Sequence, residues 1–320
     1  MKKISLSISL LLFSITYSLA QTPGIQWQQT LGTKDNDGFS KVIKTNDGGI
    51  LLVGYKAQDS TGYWDMWVVK KSADGVTEWE KTFGLSGDDY GSNAIQTADG
   101  DFVIAGTNSS TNYPGHHGVD SLWSNYDELK RDVWVIKISG NGSIIWQKLI
   151  GGKDAEEGFG ICEDLNNNIY VSGWTNSEDG DFLNKKKDSL SYDDAFIAKL
   201  SSNGDLLQIK CFGGNRDEYL SSIVFKDNEL VTIGRTGSND LDVSGLHPAL
   251  QDTLGYIKDI WFVRLDASLD ILKQKCFGGN QNDFDGTIKA LQNGNFLFCG
   301  YTASADGDVI GHSPILSGLE

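Results

Sequence analysis

The residues of this chain that could do chemistry are mostly carboxylates. Among the phrases that place two acids around a single residue are Asp179-Gly180-Asp181, Asp240-Leu241-Asp242 and Asp306-Gly307-Asp308. Alternating carboxylates in a tight turn supply hard oxygen ligands, the chemistry that Ca²⁺ prefers. A complete loop of that kind needs a third ligand and a distal bidentate Glu, and no copy has both. The same acids therefore also read as Asx-turns, in which each side chain caps its own backbone amides. All four histidines, His116, His117, His247 and His312, fall in the same class of segment. Only the adjacent pair His116-His117 offers one histidine a second nearby, so solvated loop histidines are the plainer reading. Trp123, Tyr126 and Trp174 add aromatic surface of the sort that lines a ligand rim, for instance for a glycan. The candidate ligand-binding residues are thus His116, His117, Trp123, Tyr126, Trp174 and His247. The candidate Ca²⁺ ligands are Asp179, Asp181, Asp240, Asp242, Asp306 and Asp308.

Other chemistries have no foothold. The sequence has no Gly-x-Ser-x-Gly elbow, no His-Glu-x-x-His and no phosphate loop. Paired acids leave a glycosidase dyad open, since carboxylate separation is not readable from sequence. With 27 Lys and Arg against 43 Asp and Glu, the net charge of −16 repels phosphate backbones and excludes nucleic acid as a natural partner. Aromatics at 11% and apolar residues at 39% exclude a collagen-like or disordered chain.

These residues are positioned by a repeat. Five segments end a strand with an apolar residue and glycine: Leu31-Gly32, Phe83-Gly84, Ile150-Gly151, Phe212-Gly213 and Phe277-Gly278, spaced by 52, 67, 62 and 65 residues. Five residues before the glycine stand Trp27, Trp79 and Trp146, then Gln208 and Lys273. Five residues after it comes an acid (Asp37, Asp89, Glu156, Glu218, Asp283), followed closely by an aromatic (Phe39, Tyr90, Phe159, Tyr219, Phe284). The units start near residues 25, 79, 146, 208 and 273.

Each unit reads as four short strands. The first is typified by 40–45, closed by the hairpin turn Asn46-Asp47-Gly48-Gly49. The second is typified by 50–55. The third opens on Asp and an aromatic, as in Asp65-Met66-Trp67, Asp132-Val133-Trp134, Asp194-Ala195-Phe196 and Asp259-Ile260-Trp261. The acid of this third strand reads as structural, either capping a turn or pairing with the basic residue five positions on. The fourth is the tryptophan strand. No stretch has helical periodicity, so the chain is expected to be all-β, a β-propeller of four-stranded blades with five repeats visible and the last incomplete. A lone fourth strand at 25–31 would complete the last blade, whose own third strand never arrives. Either one blade is defective, or the chain is the front of a longer protein; open edges are a pairing hazard, which favours truncation at the C-terminus.

Residues 1–20 read as a signal peptide: Lys2-Lys3, an apolar stretch from Ile4 to Tyr17, and Ser18-Leu19-Ala20 before the expected cleavage. The mature 21–320 is then an exported protein of net charge −18, extracellular, surface-bound or periplasmic, with no transmembrane segment. Four cysteines, Cys162, Cys211, Cys276 and Cys299, raise a disulfide question. Cys211 and Cys276 occupy a position held by Thr30, Thr82 and Leu149 in other copies, which favours buried free thiols.

The phrase Trp146-Gln147-Lys148-Leu149-Ile150-Gly151-Gly152, the Asp47-Gly48-Gly49 turn and the Asp-x-Trp strand starts together resemble the exported propeller-repeat proteins of Bacteroidota. That resemblance covers the chain from Ile25 onward and implies a propeller and export. Members often carry a C-terminal sorting domain for type IX secretion, which nothing here matches. The pairs Asp74-Gly75…Trp79 and Asn141-Gly142…Trp146 are also similar to the docking pattern of quinoprotein dehydrogenases, read as shared blade packing.

The loops between second and third strands are long at 107–131, 174–193 and 235–258, with 301–320 as the cut-off fifth, and they hold the histidines and acidic phrases. Long loops on a rigid scaffold are where binding resides. The expected function is a binding or interaction module for a protein or glycan ligand, with Ca²⁺ as the one candidate cofactor. The alternatives are a glycan-acting hydrolase or lyase, and a non-binding spacer of a larger surface protein.

Overall fold

The computed structural model describes residues 24–310 except 26, 59–61, 86, 110–114, 116, 118–130, 184–192 and 249–256. Residues 1–30 and 31–320 are separate units. No described residue from 24 to 37 is in a strand, so the expected strand at 25–31 is not formed. A fourth strand needs a third to pair with, and among the described residues the last sheet stops at its second.

Among its described residues the second unit is all-β, with a single short 3-10 turn at Gly180–Phe182. Sheet I contains β1 (Gly38–Lys44), β2 (Ile50–Ala57), β3 (Trp64–Lys71) and β4 (Thr77–Phe83). Sheet II contains β5 (Asp89–Gln96), β6 (Phe102–Asn108), β7 (Asp132–Ile138) and β8 (Ile144–Ile150). Sheet III contains β9 (Glu156–Glu163), β10 (Ile169–Thr175), β11 (Asp194–Leu200) and β12 (Leu206–Phe212). Sheet IV contains β13 (Glu218–Lys226), β14 (Glu229–Thr236), β15 (Asp259–Leu265) and β16 (Ile271–Phe277). Sheet V has, among the described residues, only β17 (Asp283–Ala290) and β18 (Phe296–Thr302). Every sheet is an antiparallel meander in chain order. Local chemistry sets the turns: Asp47 Oδ1 accepts the Thr45 hydroxyl at 2.5 Å and the Gly49 amide at 3.0 Å, while Gly48 takes φ of 86°.

Consecutive sheets pack face to face. In β6, Phe102 and Ile104 join a core cluster with Leu51, Val53 and Met66 of sheet I, whereas Val103 and Ala105 join one with Ile161 and Val171 of sheet III. Side chains alternate along a strand, so a strand buried on both faces reads as an unbroken apolar run. Clusters of the same kind join sheets III and IV around Trp261 and sheets IV and V around Ile288. Each fully buried aliphatic side chain contributes about 1.5–3 kcal/mol.

The fourth strands lock onto the next sheet. Trp79 Nε1 donates to the Gly140 carbonyl at 2.9 Å and Trp146 Nε1 to that of Ser202 at 2.9 Å. A Cβ on Gly142 or Gly204 would lie 3.1 Å and 2.7 Å from those indoles, so ring and glycine are matched. In sheet III Gln208 makes the same bond, to Ser268 at 3.0 Å, and the glycine is replaced by Leu269. Where the indole is gone, the space beneath it takes a side chain.

The first strand of every sheet carries a bulge opposite the second-strand glycine, with Ser40, Ser92, Phe159, Ser221 and Gly286 as the extra residues. No helix among the described residues is long and apolar enough to cross a membrane.

Candidate functional site

The repeated acids are fastened in the same way in all five sheets. Each accepts the backbone amide four residues upstream: Asp37 from Thr33 (2.5 Å), Asp89 from Leu85 (3.1 Å), Glu156 from Gly152 (3.0 Å), Glu218 from Gly214 (2.8 Å) and Asp283 from Gly279 (2.9 Å). The other oxygen reaches the end of the second strand. Asp37 and Asp89 take the amides of Ala57 and Ser109, while Glu156, Glu218 and Asp283 take the hydroxyls of Thr175, Thr236 and Thr302. These acids hold the glycine phrase against the sheet that follows it. Burial pushes Glu156 up to about 8 and Glu218 up to about 7, against the lowering effect of those hydrogen bonds.

The acidic phrases clamp the same glycines from the far side. Asp181 Oδ2 accepts the Gly151 amide at 3.2 Å and its own amide donates to the Gly151 carbonyl at 2.9 Å. Asp242 does the same with Gly213, at 3.4 Å and 3.1 Å, and the Asp308 amide donates to Gly278 at 2.8 Å. Asp179, Asp240 and Asp306 accept the amides of Lys153, Asn215 and Asn280 at 2.8, 2.9 and 2.8 Å. Five of the six candidate Ca²⁺ ligands thus point oxygens at backbone amides, the Asp308 carboxylate instead takes the Lys275 ammonium at 3.0 Å, and no group of three metal-ligating side chains forms among the described residues.

The third-strand acids do not pair with the base five residues on. Odd spacing puts the two on opposite faces, roughly 16 Å apart along the strand. Lys70 instead binds Asp47 and Glu78, and Lys137 binds Asp99. Asp132 Oδ2 accepts the His117 amide at 3.0 Å and meets its Nδ1 at 3.0 Å; Asp259 Oδ2 holds His247 likewise at 2.9 and 2.7 Å. Each Nε2 faces the next acidic phrase, 4.0 Å from Asp181 in one case and 3.7 Å from Asp308 in the other. One geometry at two junctions reads as a latch between sheets.

Of the candidate ligand residues, His117 and His247 sit in these latches, and His116, Trp123 and Tyr126 lie outside the described residues, as does His312. Trp174 belongs to β10 and not to the loop after it. Its ring is 8% exposed, its Nε1 donates to Glu157 at 3.2 Å, and it packs edge-on to Tyr219 at 5.7 Å. A residue still paired within a sheet is covered by the next sheet, which keeps it from any rim. The aromatics after the acids are not equivalent either. Tyr90, Tyr219 and Phe284 follow directly, Phe39 stacks on Trp67 at 4.2 Å, and Phe159 is a bulge residue. All four cysteines are free; Cys299 is exposed.

What the bulges bring together is a cavity of about 320 Å³. Ser40 and Lys41, Ser92 and Asn93, Phe159, Ser221 and Ser222, and Gly286 and Thr287 line it from five separate strands, with Tyr219, Arg235 and Asp285. A bulge re-aims side chains, and here it does so at the same register in every sheet. The Arg235 guanidinium lies over the rings of Tyr219 at 4.2 Å and Phe284 at 5.6 Å, and its buried Nε meets no acceptor among the described residues. Two cations, Lys41 and Arg235, and one carboxylate, Asp285, are among the lining residues, and the Tyr219 hydroxyl donates to Asp193 at 2.5 Å. Tyr219 and Arg235 face each other one pair inside Glu218 and Thr236, where the second-to-third loop leaves the sheet. The only sequence trace of the cavity is a small polar residue three positions after the acid in Ser40, Ser92 and Ser221.

No protein-family model matches the chain, and no curated protein matches it. Among solved structures, a protein of unknown function from Bacteroides caccae, determined at 1.35 Å, is similar at a TM-score of 0.47 and 16% identity, covering 86% of this chain and 74% of that one.

Proposed function

We infer that this chain is an exported β-propeller-type binding module, and that its ligand is a small, hydroxyl-rich molecule bearing a carboxylate, such as an acidic sugar. The observation that carries the reading is the convergence of bulged residues from five sheets on one polar cavity beside Arg235. The arrangement of sheets as blades is supported by the same convergence, by first strands that meet in the order β1–β5–β9–β13–β17, and by the fourth-strand docking. Serine hydroxyls and Asn93 suit sugar hydroxyls, and a guanidinium suits a carboxylate. The lining holds one acid, Asp285, where glycosidic hydrolysis uses a pair, which favours binding over turnover. Export rests on the leader at 1–20.

Calorimetric titration with galacturonate, glucuronate and their neutral parent sugars tests this. Binding of an acidic sugar, lost in Arg235→Gln and in the cavity-filling Ser221→Leu, is expected. A folded wild-type protein that binds none of them, or variants that bind as well as wild type, would refute it.

A further inference from the structure

The cavity among the bulges is not polar all round. The bulge residue and the one after it are polar in sheets I, II and IV, as in Ser92-Asn93 and Ser221-Ser222, and Thr287 keeps a hydroxyl in sheet V. Sheet III supplies Phe159 and Gly160 instead. Phe159 is half-buried, joins none of the apolar clusters that hold the sheets together, and stacks on no other ring among the described residues. Apolar stabilisation follows the area removed from water into a core, so this side chain does little for folding where it stands.

Gly160 accounts for how the ring is placed. A Cβ on it would lie 2.9 Å from the Ile223 backbone nitrogen, so its absence lets β9 come up against β13, the strand of Tyr219 and Ser221. The polar walls, in turn, are lightly engaged. The hydroxyls of Ser40 and Ser92 bond to nothing among the described residues, and that of Ser221 reaches only the Ile233 and Gly286 carbonyls, both at 3.3 Å. Contacts at the long end of the hydrogen-bond range yield readily to a better partner. The cavity therefore joins lightly held hydroxyls, a guanidinium fixed over Tyr219 at 4.2 Å, and a lone aromatic wall.

A pyranose is amphipathic in the same sense. Its hydroxyls ring the edge, while its C–H bonds form an apolar face that stacks on an aromatic ring. In the galacto configuration the axial 4-hydroxyl leaves the C–H bonds of C3, C4 and C5 together on the opposite face. In the gluco configuration the C–H bonds alternate between the two faces. We propose that Phe159 is the stacking platform of this site and selects the galacto configuration, so that galacturonate binds in preference to glucuronate. This rests on the reading of the cavity as an acidic-sugar site and adds the residue that chooses among such sugars.

Calorimetric titration of the whole protein with each sugar measures the preference. Wild type should favour galacturonate by about tenfold, the order expected of one aromatic contact. Phe159→Leu keeps apolar volume without a ring, and Phe159→Ser gives sheet III the residue of its sisters. Each should bring the ratio to within about twofold, whereas Phe159→Tyr should keep it. The protons on C3, C4 and C5 of bound galacturonate should shift upfield with wild type but not with Phe159→Leu, a ring-current effect that a merely structural residue does not produce. The proposal is overturned if folded Phe159→Leu keeps the wild-type preference, or if wild type binds the two sugars equally or favours glucuronate; in those cases the acidic-sugar site itself stands. Wild type that binds neither sugar removes the site and this role together. Should Phe159→Ser misfold, Phe159→Leu decides, with its circular dichroism spectrum as the control. Loss of the fold in both makes Phe159 a structural residue and also overturns the proposal.

Discussion

Two leucines hold backbone that favours glycine, and their substitution by glycine should have opposite signs. Leu241 has φ of 51° and Leu269 φ of 64°. Leu241 stands where the sister phrases have Gly180 at 57° and Gly307 at 67°, and a Cβ on either glycine would clash with the Gly151 or Gly278 carbonyl. Leucine there forces the clamp apart: the Asp242 amide lies 3.1 Å from the Gly213 carbonyl, against 2.9 and 2.8 Å in the other two. Its side chain is 63% exposed and returns little packing. Leu241→Gly relieves about 1–2 kcal/mol of left-handed strain and loses about 0.5–1 to glycine's entropy, for a net gain of about 0.5–1 kcal/mol. Leu269 is fully buried in the cluster around Trp261, where deleting such a side chain costs about 2–5 kcal/mol before the same relief. Leu269→Gly should therefore lose about 2 kcal/mol. Thermal melts at one protein concentration check both, with Leu241→Gly raising Tm by about 1–3 °C and Leu269→Gly lowering it by about 4–8 °C. A fall in Tm for Leu241→Gly would refute the strain argument, and a rise for Leu269→Gly would refute the packing one.

Three further outcomes follow from the geometry. Trp146→Ala removes an indole seated on Gly204 and its bond to Ser202, and should cost about 3 kcal/mol in urea unfolding, whereas Gln208→Ala should cost under about 1. Glu218 sits at about 7 in the folded chain against an ordinary 4.5. The folded state keeps a proton that the unfolded chain releases, so this contribution is complete below pH 4.5 and is lost as pH rises through about 7. At about 1.36 kcal/mol per pH unit it amounts to at most about 3 kcal/mol, and Glu156 adds in the same sense, with its loss ending near 8. Urea midpoints should fall between pH 5 and 8.5, less steeply in Glu218→Gln; a midpoint that rises with pH would reverse the assignment. A thiol reagent should modify Cys299 at once in the native protein, and Cys162, Cys211 and Cys276 only on unfolding, since burial pushes Cys276 up to about 12. Two or more fast-reacting thiols would contradict the burial.

The strands were legible because their signals are local. Asn46-Asp47-Gly48-Gly49 and its relatives close their hairpins, and the glycine–acid spacing recurs because each acid binds the amide four residues behind it. Such bonds lie within a few residues, so sequence carries them whole. Strand 25–31 failed for the opposite reason: its pattern is right, but a strand exists only with a neighbour. The same holds for Asp65, Asp132 and Asp259, whose partners lie at loop positions such as Gln58, His117 and His247, and not five residues along the chain. Trp174 reads as loop surface until sheet IV covers it.

The cavity is the clearest case. Ser40, Ser92 and Ser221 are unremarkable residues within their own strands, and Arg235 is one more base in a long segment. Their convergence depends on where a single extra residue bulges in each of five strands and on how five sheets stack, and both are set by contacts between residues far apart in sequence. Local rules therefore determined the strands, the turns and the fastening acids of this protein. Only packing between sheets decided what those strands enclose and which apolar positions were left in water.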